Sequence, residues 1–171
     1  EGKVMDLMSL SVSVPVCGFR KPYARELFET ERVPPPATVY GFLLSLVGEE
    51  DRDIYVGTNL AIALISKPAV STIIRTTWRI KSNMPLGTGT NKNPDYQEIL
   101  TDLEVLIYID RGDLAERIMQ VGRFPEKIAR YGGLSLGESH DLVNDIVFYP
   151  KFDVAAGLWL LPDKLGPFPL P

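Results

Sequence analysis

The sequence predicts an α+β fold of the ferredoxin-like (RRM-like) class, with a β-hairpin inserted near the middle of the chain. Three observations predict it. Residues 7–16 alternate like a strand, residues 39–47 and 114–121 have the pattern of helices, and residues 83–94, rich in turn formers, separate two strand-like segments. The order is strand, helix, strand, strand pair with a long loop, helix, glycine loop and strand, which is a split βαβ pattern. The length of 171 residues suits a single domain.

The first part of the chain contains a strand and a short helix. Apolar residues alternate with small polar ones along residues 7–16, which is typical of a half-buried strand. Three prolines end the extended segment 18–36 and are expected to forbid a helix before Ala37. Thr38 is therefore predicted as the N-cap of a helix over residues 39–47, which Gly48 closes. Gly41 lowers the stability of this helix, so we expect close packing or backbone contact there.

The segment 72–80 is a predicted strand with two different faces. Arg75 and Arg79 share one face, whereas Trp78 shares the other with apolar residues such as Ile74. We therefore expect Trp78 in the core rather than as a stacking platform for a ligand.

The remaining elements are shorter or less regular. Asp113 is predicted to cap the helix at 114–121, and the C-terminal portion, residues 151–171, is predicted to be irregular. The other predicted strands are residues 59–66, 99–109, 146–148 and 157–161.

Charge is distributed unevenly along this acidic chain, whose formal net charge is −4. Residues 54–94 contain no acidic residue and five basic ones: Lys67, Arg75, Arg79, Lys81 and Lys92. A local basic block favours a charged partner, and phosphate is the commonest one. Neighbouring aromatic and short polar side chains suit single-stranded nucleic acid. The alternative is a solvated face that lacks acids by chance.

Composition restricts the other function classes. One cysteine and one histidine leave no internal disulfide, no cysteine-rich zinc site and no histidine-rich metal site, so no cofactor is expected. Cys17 follows the apolar alternation and is predicted to be a buried structural thiol. No run of 18 apolar residues and no signal segment are visible, so we expect a soluble cytoplasmic protein, which could be a portion of a longer one.

A glycine-rich segment is the second informative feature. Gly132, Gly133 and Gly137 fall within six residues and permit backbone conformations that leave N–H groups open to phosphate or sugar oxygens. The segment lacks the Gly-Lys-Ser/Thr ending of a phosphate-binding P-loop and the preceding strand of a dinucleotide fingerprint. A plain turn is the alternative interpretation.

Three segments together resemble the Cas-five family of CRISPR-associated proteins, within the RAMP superfamily. They are Phe19-Arg20 leading to Pro-Pro-Pro-Ala-Thr-Val-Tyr-Gly at residues 34–41, the segment 75–97 with Asn-Met-Pro-Leu-Gly at 83–87, and Leu-Ser-Leu-Gly-Glu-Ser at 134–139. The resemblance covers most of residues 7–161. It implies a single RAMP domain over 1–171 with an inserted thumb at 75–100.

The resemblance also implies a function. It implies that this chain is a non-catalytic subunit of a type I Cascade ribonucleoprotein in antiviral defence and that it holds the 5′ handle of the CRISPR RNA. The implied partners are CRISPR RNA, the backbone and large Cascade subunits, and target DNA near the protospacer-adjacent motif. The implied RNA-binding residues are Arg20, Lys21, Arg25, Tyr40, Arg75, Arg79, Lys81, Asn83, Lys92, Gly132, Gly133, Leu134, Ser135 and Gly137. The implied partner-binding residues are Met84, Leu86 and Tyr96.

Two other functions stay open. One branch of the family cleaves precursor CRISPR RNA without a metal, and here only His140 could serve as an imidazole base, with Tyr131 or Lys127 as its partner. A lone histidine satisfies none of the geometric tests for catalysis, so a solvent-facing or capping His140 is the favoured interpretation. The second alternative is a ferredoxin-like protein-interaction module without RNA.

Overall fold

The structure is a computed structural model that describes residues 7–24, 26–78, 92–149 and 157–161. Its strands are β1 (Met8–Cys17), β2 (Leu27–Phe28), β3 (Leu60–Leu64), β4 (Ala69–Trp78), β5 (Lys92–Ile109), β6 (Asp145–Phe148) and β7 (Leu158–Trp159). Its helices are α1 (Pro36–Val47), α2 (Asp113–Arg123) and a short 3₁₀ turn at Pro125–Lys127. Among these described residues, no helix is long and apolar enough to cross a membrane.

The strands form one mixed sheet that is mostly antiparallel. The main path runs β6-β1-β5-β3-β7, and β2 and β4 both pair with β5 outside that path. Only the short β2–β5 pair is parallel. The prediction of a mixed fold with two helices and a largely antiparallel sheet is confirmed.

Strand β5 pairs with different strands along its length. Its C-terminal half pairs with β1, from Met8 opposite Ile109 to Cys17 opposite Leu100. Its N-terminal half pairs with β4, from Ala69 opposite Thr101 to Trp78 opposite Lys92. β5 begins earlier than the predicted strand at 99–109, and the predicted loop over 83–94 is therefore wrong for residues 92–94. The rest of that loop lies outside the described residues.

The core lies between one face of the sheet and the two helices. The side chains of Leu10, Val12 and Val14 are fully buried there, and Leu43 and Ile118 from the helices pack in the same cluster. The opposite face of β1 is also covered, since Ser9 and Ser11 are buried. The half-buried pattern predicted for this strand is wrong at those two serines, because the sheet face they share is not open to solvent.

The buried-thiol prediction for Cys17 is confirmed. Its side chain is fully buried at the end of β1. Burial, with a smaller contribution from the nearby Asp141 carboxylate, raises the pKa of the thiol to about 12. A neutral, inaccessible thiol is a poor nucleophile.

Both predicted helix N-caps are wrong. α1 begins at Pro36 after Pro35 at the N-cap, and Thr38 lies inside the first turn. Proline fits there because its missing N–H is not needed at the first helical position. α2 begins at Asp113 itself, with Gly112 at the N-cap and no capping bond from a side chain.

Two glycines of α1 differ in their surroundings. Gly48 ends the helix in a left-handed conformation, as predicted, with φ of 69°. A Cβ added to Gly41 would meet no described atom within 4 Å, so the prediction of close packing at that residue is wrong. Gly41 is exposed in the middle of the helix.

Strand β4 does not have a core face where the pattern predicted one. Ile74 is 66% exposed, on a strand that pairs with the N-terminal half of β5. The expectation that this face is core is wrong at Ile74. The side chain of Trp78 lies outside the described residues.

Candidate nucleic-acid interface

The glycine-rich segment is an anchored loop. Leu136 is fully buried in the core, and the loop closes through bonds from Val143 N–H to the Leu134 carbonyl at 2.9 Å and from Leu136 N–H to the Asp141 carbonyl at 3.1 Å. Gly132 has φ of 76° in open space, where a Cβ would meet no described atom. The buried leucine fixes the base of the loop and leaves the Gly132 turn exposed.

Asp141 joins this loop to the end of β1. Its buried Oδ2 accepts from Gly18 N–H at 2.9 Å and from Glu138 N–H at 2.7 Å. Burial raises the pKa of this carboxyl, and the two N–H donors oppose the rise. The structure explains why residue 137 is a glycine, because a Cβ there would lie 2.5 Å from Asp141 Oδ2 and 3.0 Å from the Gly18 carbonyl oxygen. Sequence reasoning missed Asp141, whose partner Gly18 is 123 residues away.

The glycine loop is also linked to the β4–β5 hairpin. Arg75 on β4 donates through Nη1 to Glu138 Oε2 at 2.7 Å and to Gln97 Oε1 at 2.6 Å. Gln97 on β5 in turn donates through Nε2 to Glu138 Oε1 at 3.0 Å. Arg75 and Glu138 are half-buried, whereas Gln97 is buried. One hydrogen-bonded triad therefore holds the loop beside the hairpin.

A second polar group continues along the same hairpin face. The buried Asp95 accepts a hydrogen bond from the Thr77 hydroxyl and one from Asn93 Nδ2 at 3.1 Å. Thr77 and Asn93 are opposite each other in the β4–β5 register. Thr77, Asn93 and Asp95 therefore extend the polar surface of the hairpin away from the glycine loop.

The cations after β1 already have local partners. The Arg20 guanidinium lies 3.8 Å from the centre of the Phe28 ring and donates to the Ala24 carbonyl at 3.3 Å. Lys21 forms an exposed ion pair with Glu29 at 3.8 Å, which matches the solvated alternative for this loop. Arg25 lies outside the described residues.

Tyr40 lies in a groove at the start of α1. Its hydroxyl donates to the Arg52 carbonyl at 3.0 Å. The groove has a volume of about 670 Å³, and Arg20, Pro36, Tyr40 and Tyr55 are among the residues that line it. Arg117 on α2 fixes Tyr55 by donating to its hydroxyl at 2.9 Å, so one wall of the groove is held by the second helix.

The structure places the other predicted site residues in different surroundings. Gly133 is exposed, Leu134 packs on the core, and Ser135 forms a bridge with Leu142. Lys92 starts β5 opposite Trp78, and nothing is described of its side chain. Five further residues predicted to contact RNA or a partner lie outside the described residues: Arg79, Lys81, Asn83, Met84 and Leu86.

Tyr96, a predicted partner contact, lies in a row of exposed apolar residues. It is 52% exposed and is opposite Ile74 on one side and Leu27 on the other. This row, which we call the apolar row, comprises Leu27, Tyr96 and Ile74, and it occupies the face of the hairpin opposite Arg75 and Gln97. The hairpin therefore presents one polar and one apolar face.

His140 is exposed at the tip of the glycine loop. Its Nε2 lies 3.4 Å from Glu138 Oε2 and 3.5 Å from Asp141 Oδ1. In the described part of the chain, no hydrogen bond or ion pair joins His140 to Tyr131 or Lys127, and the Lys127 ammonium lies 4.1 Å from the Phe124 ring centre. The described residues also contain no group of three or more His, Cys, Asp or Glu side chains that could hold a metal ion.

The chain resembles known proteins in sequence and in fold. No protein-family model matches it. The CRISPR-associated protein Cas5 of Myxococcus xanthus (strain DK1622) is 41% identical over 160 residues, which cover 88% of this chain and 74% of that protein. A chain of a CRISPR RNA-guided surveillance complex has a similar fold, with a TM-score of 0.62 and 13% identity, and a crystal structure of a Cas protein has a TM-score of 0.52 and 15% identity.

These relationships define a CRISPR-associated protein. The shared fold covers 81% of this chain and 60% of the surveillance-complex chain, so the present chain spans less than two thirds of that solved chain; for the Cas protein the shares are 96% and 67%. The sequence identity over most of both proteins shows that the chain belongs to the Cas5 family.

Proposed function

We propose that this chain is a non-catalytic RNA-binding subunit of a type I CRISPR surveillance complex and that it caps the 5′ handle of the guide RNA. The observation that carries the proposal is the triad of Arg75, Gln97 and Glu138, which brings the glycine loop against the hairpin. The half-buried arginine then lies beside the end of the glycine loop, at Glu138. Such a surface suits the phosphates of a splayed single strand.

The assignment of a ferredoxin-like core with an inserted thumb is part of this proposal. The order β6-β1-β5-β3, with α1 after β1 and α2 after β5, supports a ferredoxin-like core. The antiparallel ladder from Ala69 opposite Thr101 to Trp78 opposite Lys92 supports a thumb that projects from this core. On this assignment the thumb is an extension of two core strands.

The apolar row supports a protein partner on the thumb. Leu27, Tyr96 and Ile74 are between 38% and 66% exposed, although isolated strands gain nothing from exposing adjacent apolar side chains. We assign this face to the neighbouring backbone subunit of the complex and the opposite polar face to RNA.

Removal of residues 79–91 tests the thumb. Trp78 and Lys92 are opposite each other, so an Asn-Gly turn can close the shortened hairpin without changing its register. The variant is expected to keep its fold by circular dichroism and to lose assembly with the other Cascade subunits. Normal assembly of a folded variant would contradict the thumb assignment.

RNA retention in the presence of chelator tests the function itself. The purified chain is incubated with labelled repeat RNA and excess EDTA, and retention is measured from about 50 to about 200 mM salt. The proposal expects retention that weakens with salt and no cleavage. Neither retention nor cleavage would support the protein-interaction module instead.

The exposed His140 gives the endoribonuclease alternative a specific test. Its Nε2 lies 3.4 Å from Glu138 Oε2 and 3.5 Å from Asp141 Oδ1. A general base contributes a factor of about 10² to 10⁴ in rate, so His140→Ala would abolish any genuine cleavage. Cleavage by the wild type that disappears in this variant would replace our proposal with the endoribonuclease.

A further inference from the structure

We infer that Glu138 is an internal occupant of a phosphate site and that a phosphate of the bound RNA displaces its carboxylate from Arg75 and Gln97. The inference rests on the proposed function and concerns the same surface. Both carboxylate oxygens of Glu138 accept hydrogen bonds: Oε2 from Arg75 Nη1 at 2.7 Å and Oε1 from Gln97 Nε2 at 3.0 Å. We call these two donors the cradle. Two convergent donors on two oxygens of one anion are what a phosphate group also requires.

The cradle does not depend on Glu138 for its shape. Gln97 is 3% exposed, and its Oε1 accepts from Arg75 Nη1 at 2.6 Å, so the buried amide fixes the guanidinium directly. The amide is thereby oriented with its Nε2 donor toward the position of the carboxylate. When the carboxylate leaves, both donors stay aimed at the same point.

The carboxylate can leave without unfolding the loop. The Glu138 backbone is held by its N–H bond to Asp141 Oδ2 at 2.7 Å, and this bond is independent of the side chain. The Glu138 and Arg75 side chains are 28% and 36% exposed. An ion pair that solvent reaches contributes little to stability, so exchange of the carboxylate for another anion costs little free energy.

The charge of the Glu138 carboxylate competes with an RNA phosphate for Arg75. While its charge neutralises Arg75, the cradle has little attraction for a second anion, and a phosphate that approached an occupied cradle would face a like charge. Removal of the carboxylate should therefore strengthen RNA binding, whereas a purely structural clamp would weaken binding when removed. The two interpretations predict opposite signs.

The test compares four variants in the salt-dependent RNA retention assay. Glu138→Ala is expected to bind labelled single-stranded repeat RNA about two- to five-fold more tightly than wild type, from the loss of one exposed ion pair. The slope of log K against log salt should also become steeper by about 0.7, equivalent to one more phosphate contact. Arg75→Ala should weaken binding, and adding Glu138→Ala to it should restore nothing. Glu116→Gln, the same loss of charge at an exposed residue of α2, should leave the slope unchanged.

Two further measurements keep the inference testable. Glu138→Gln removes the charge but keeps an oxygen that can accept from Arg75, so it replaces the alanine variant if that variant is unstable. Inorganic phosphate, at ionic strength matched with chloride, should raise the melting temperature of the Glu138 variants and not that of wild type. Equal or weaker RNA binding by folded Glu138 variants, or no effect of phosphate, would overturn the inference. Absence of RNA retention by wild type would speak against the proposed function alone, because the phosphate experiment does not need RNA.

Discussion

The substitution Gly48→Ala tests how α1 positions the glycine loop. Gly48 ends α1 in a Schellman motif, in which Gly48 N–H bonds to the Ser45 carbonyl at 3.1 Å and Glu49 N–H bonds to the Leu44 carbonyl at 2.9 Å. A Cβ at Gly48 would lie 2.1 Å from the carbonyl oxygen of Ala129. Ala129 precedes the glycine loop by a few residues, so the clash pushes directly on the segment that leads to Gly132.

The expected loss of stability has two parts. An alanine at φ of 69° costs about 1–2 kcal/mol, because its Cβ crowds the following carbonyl. Relief of the backbone clash resembles overpacking and costs about 1–3 kcal/mol more. The sum of about 2–5 kcal/mol corresponds to a fall in melting temperature of about 4–20 °C for a chain of this length.

Gly132→Ala is the matched control. Gly132 has a similar φ of 76°, but a Cβ there meets no described atom within 4 Å, so only the conformational part of the cost applies. Both variants would be unfolded in urea and followed by circular dichroism. Equal losses in the two variants would refute the reasoning, because they would show that the Ala129 carbonyl does not lie against the end of α1.

Three other substitutions or treatments have defined outcomes. Gly41→Ala should raise the free energy of unfolding by about 0.5–1 kcal/mol, since Gly41 is exposed inside a helix with open space around it; an unchanged or lower urea midpoint would contradict this. The Cys17 thiol should react with a thiol reagent only after urea unfolds the chain, and fast labelling of the native protein would show that it is accessible. The hydrogen bond from Arg117 lowers the pKa of Glu49. The stabilisation that Glu49 contributes is therefore present above the ordinary carboxyl pKa, and it is lost as the pH falls through the lowered pKa. The difference in melting temperature between wild type and Glu49→Gln should therefore shrink between about pH 7 and about pH 3.

Features that depend on neighbours in sequence could be predicted well. The alternation along β1 identified Leu10, Val12 and Val14 as core residues, and Gly48 identified the end of α1. In both cases the determining factor is periodicity or local backbone geometry. Cys17 is buried as predicted, but it is out of step with the alternation, and Val16, which continues the alternation, is 45% exposed.

Features that depend on distant partners could not be predicted. Pro94 was predicted to end a loop, yet it lies in β5, where a hairpin tolerates a proline at an exposed position. The neighbouring Asp95 carboxylate is buried and accepts hydrogen bonds from Thr77 and Asn93, contacts that the sequence does not indicate. Thr38 indicated a cap, but the proline run begins the helix two residues earlier.

The candidate site likewise contains features that the sequence predicts and contacts that it does not predict. The glycine spacing and Arg75 were visible in the sequence, whereas the triad that joins them was not. Glu138 lies in the Leu-Ser-Leu-Gly-Glu-Ser segment, but it is 63 residues from Arg75 and 41 from Gln97, and the segment does not indicate that it contacts either residue. Its importance comes from the sheet register, which places Arg75 and Gln97 on the same face.

The continuity of β5 has a consequence for how the chain opens. Its 18 residues span roughly 60 Å, and the half from Leu100 onward lies in the core sheet, whereas the half before it pairs mainly with the exposed β4. Amide hydrogens along this one strand should therefore exchange with deuterium in two regimes: protection close to that of global unfolding at Val105 and Ile107, and much faster exchange toward Asn93. Ligands that immobilise the outer half would slow exchange there first, so the strand itself would report occupancy of the β4–β5 hairpin.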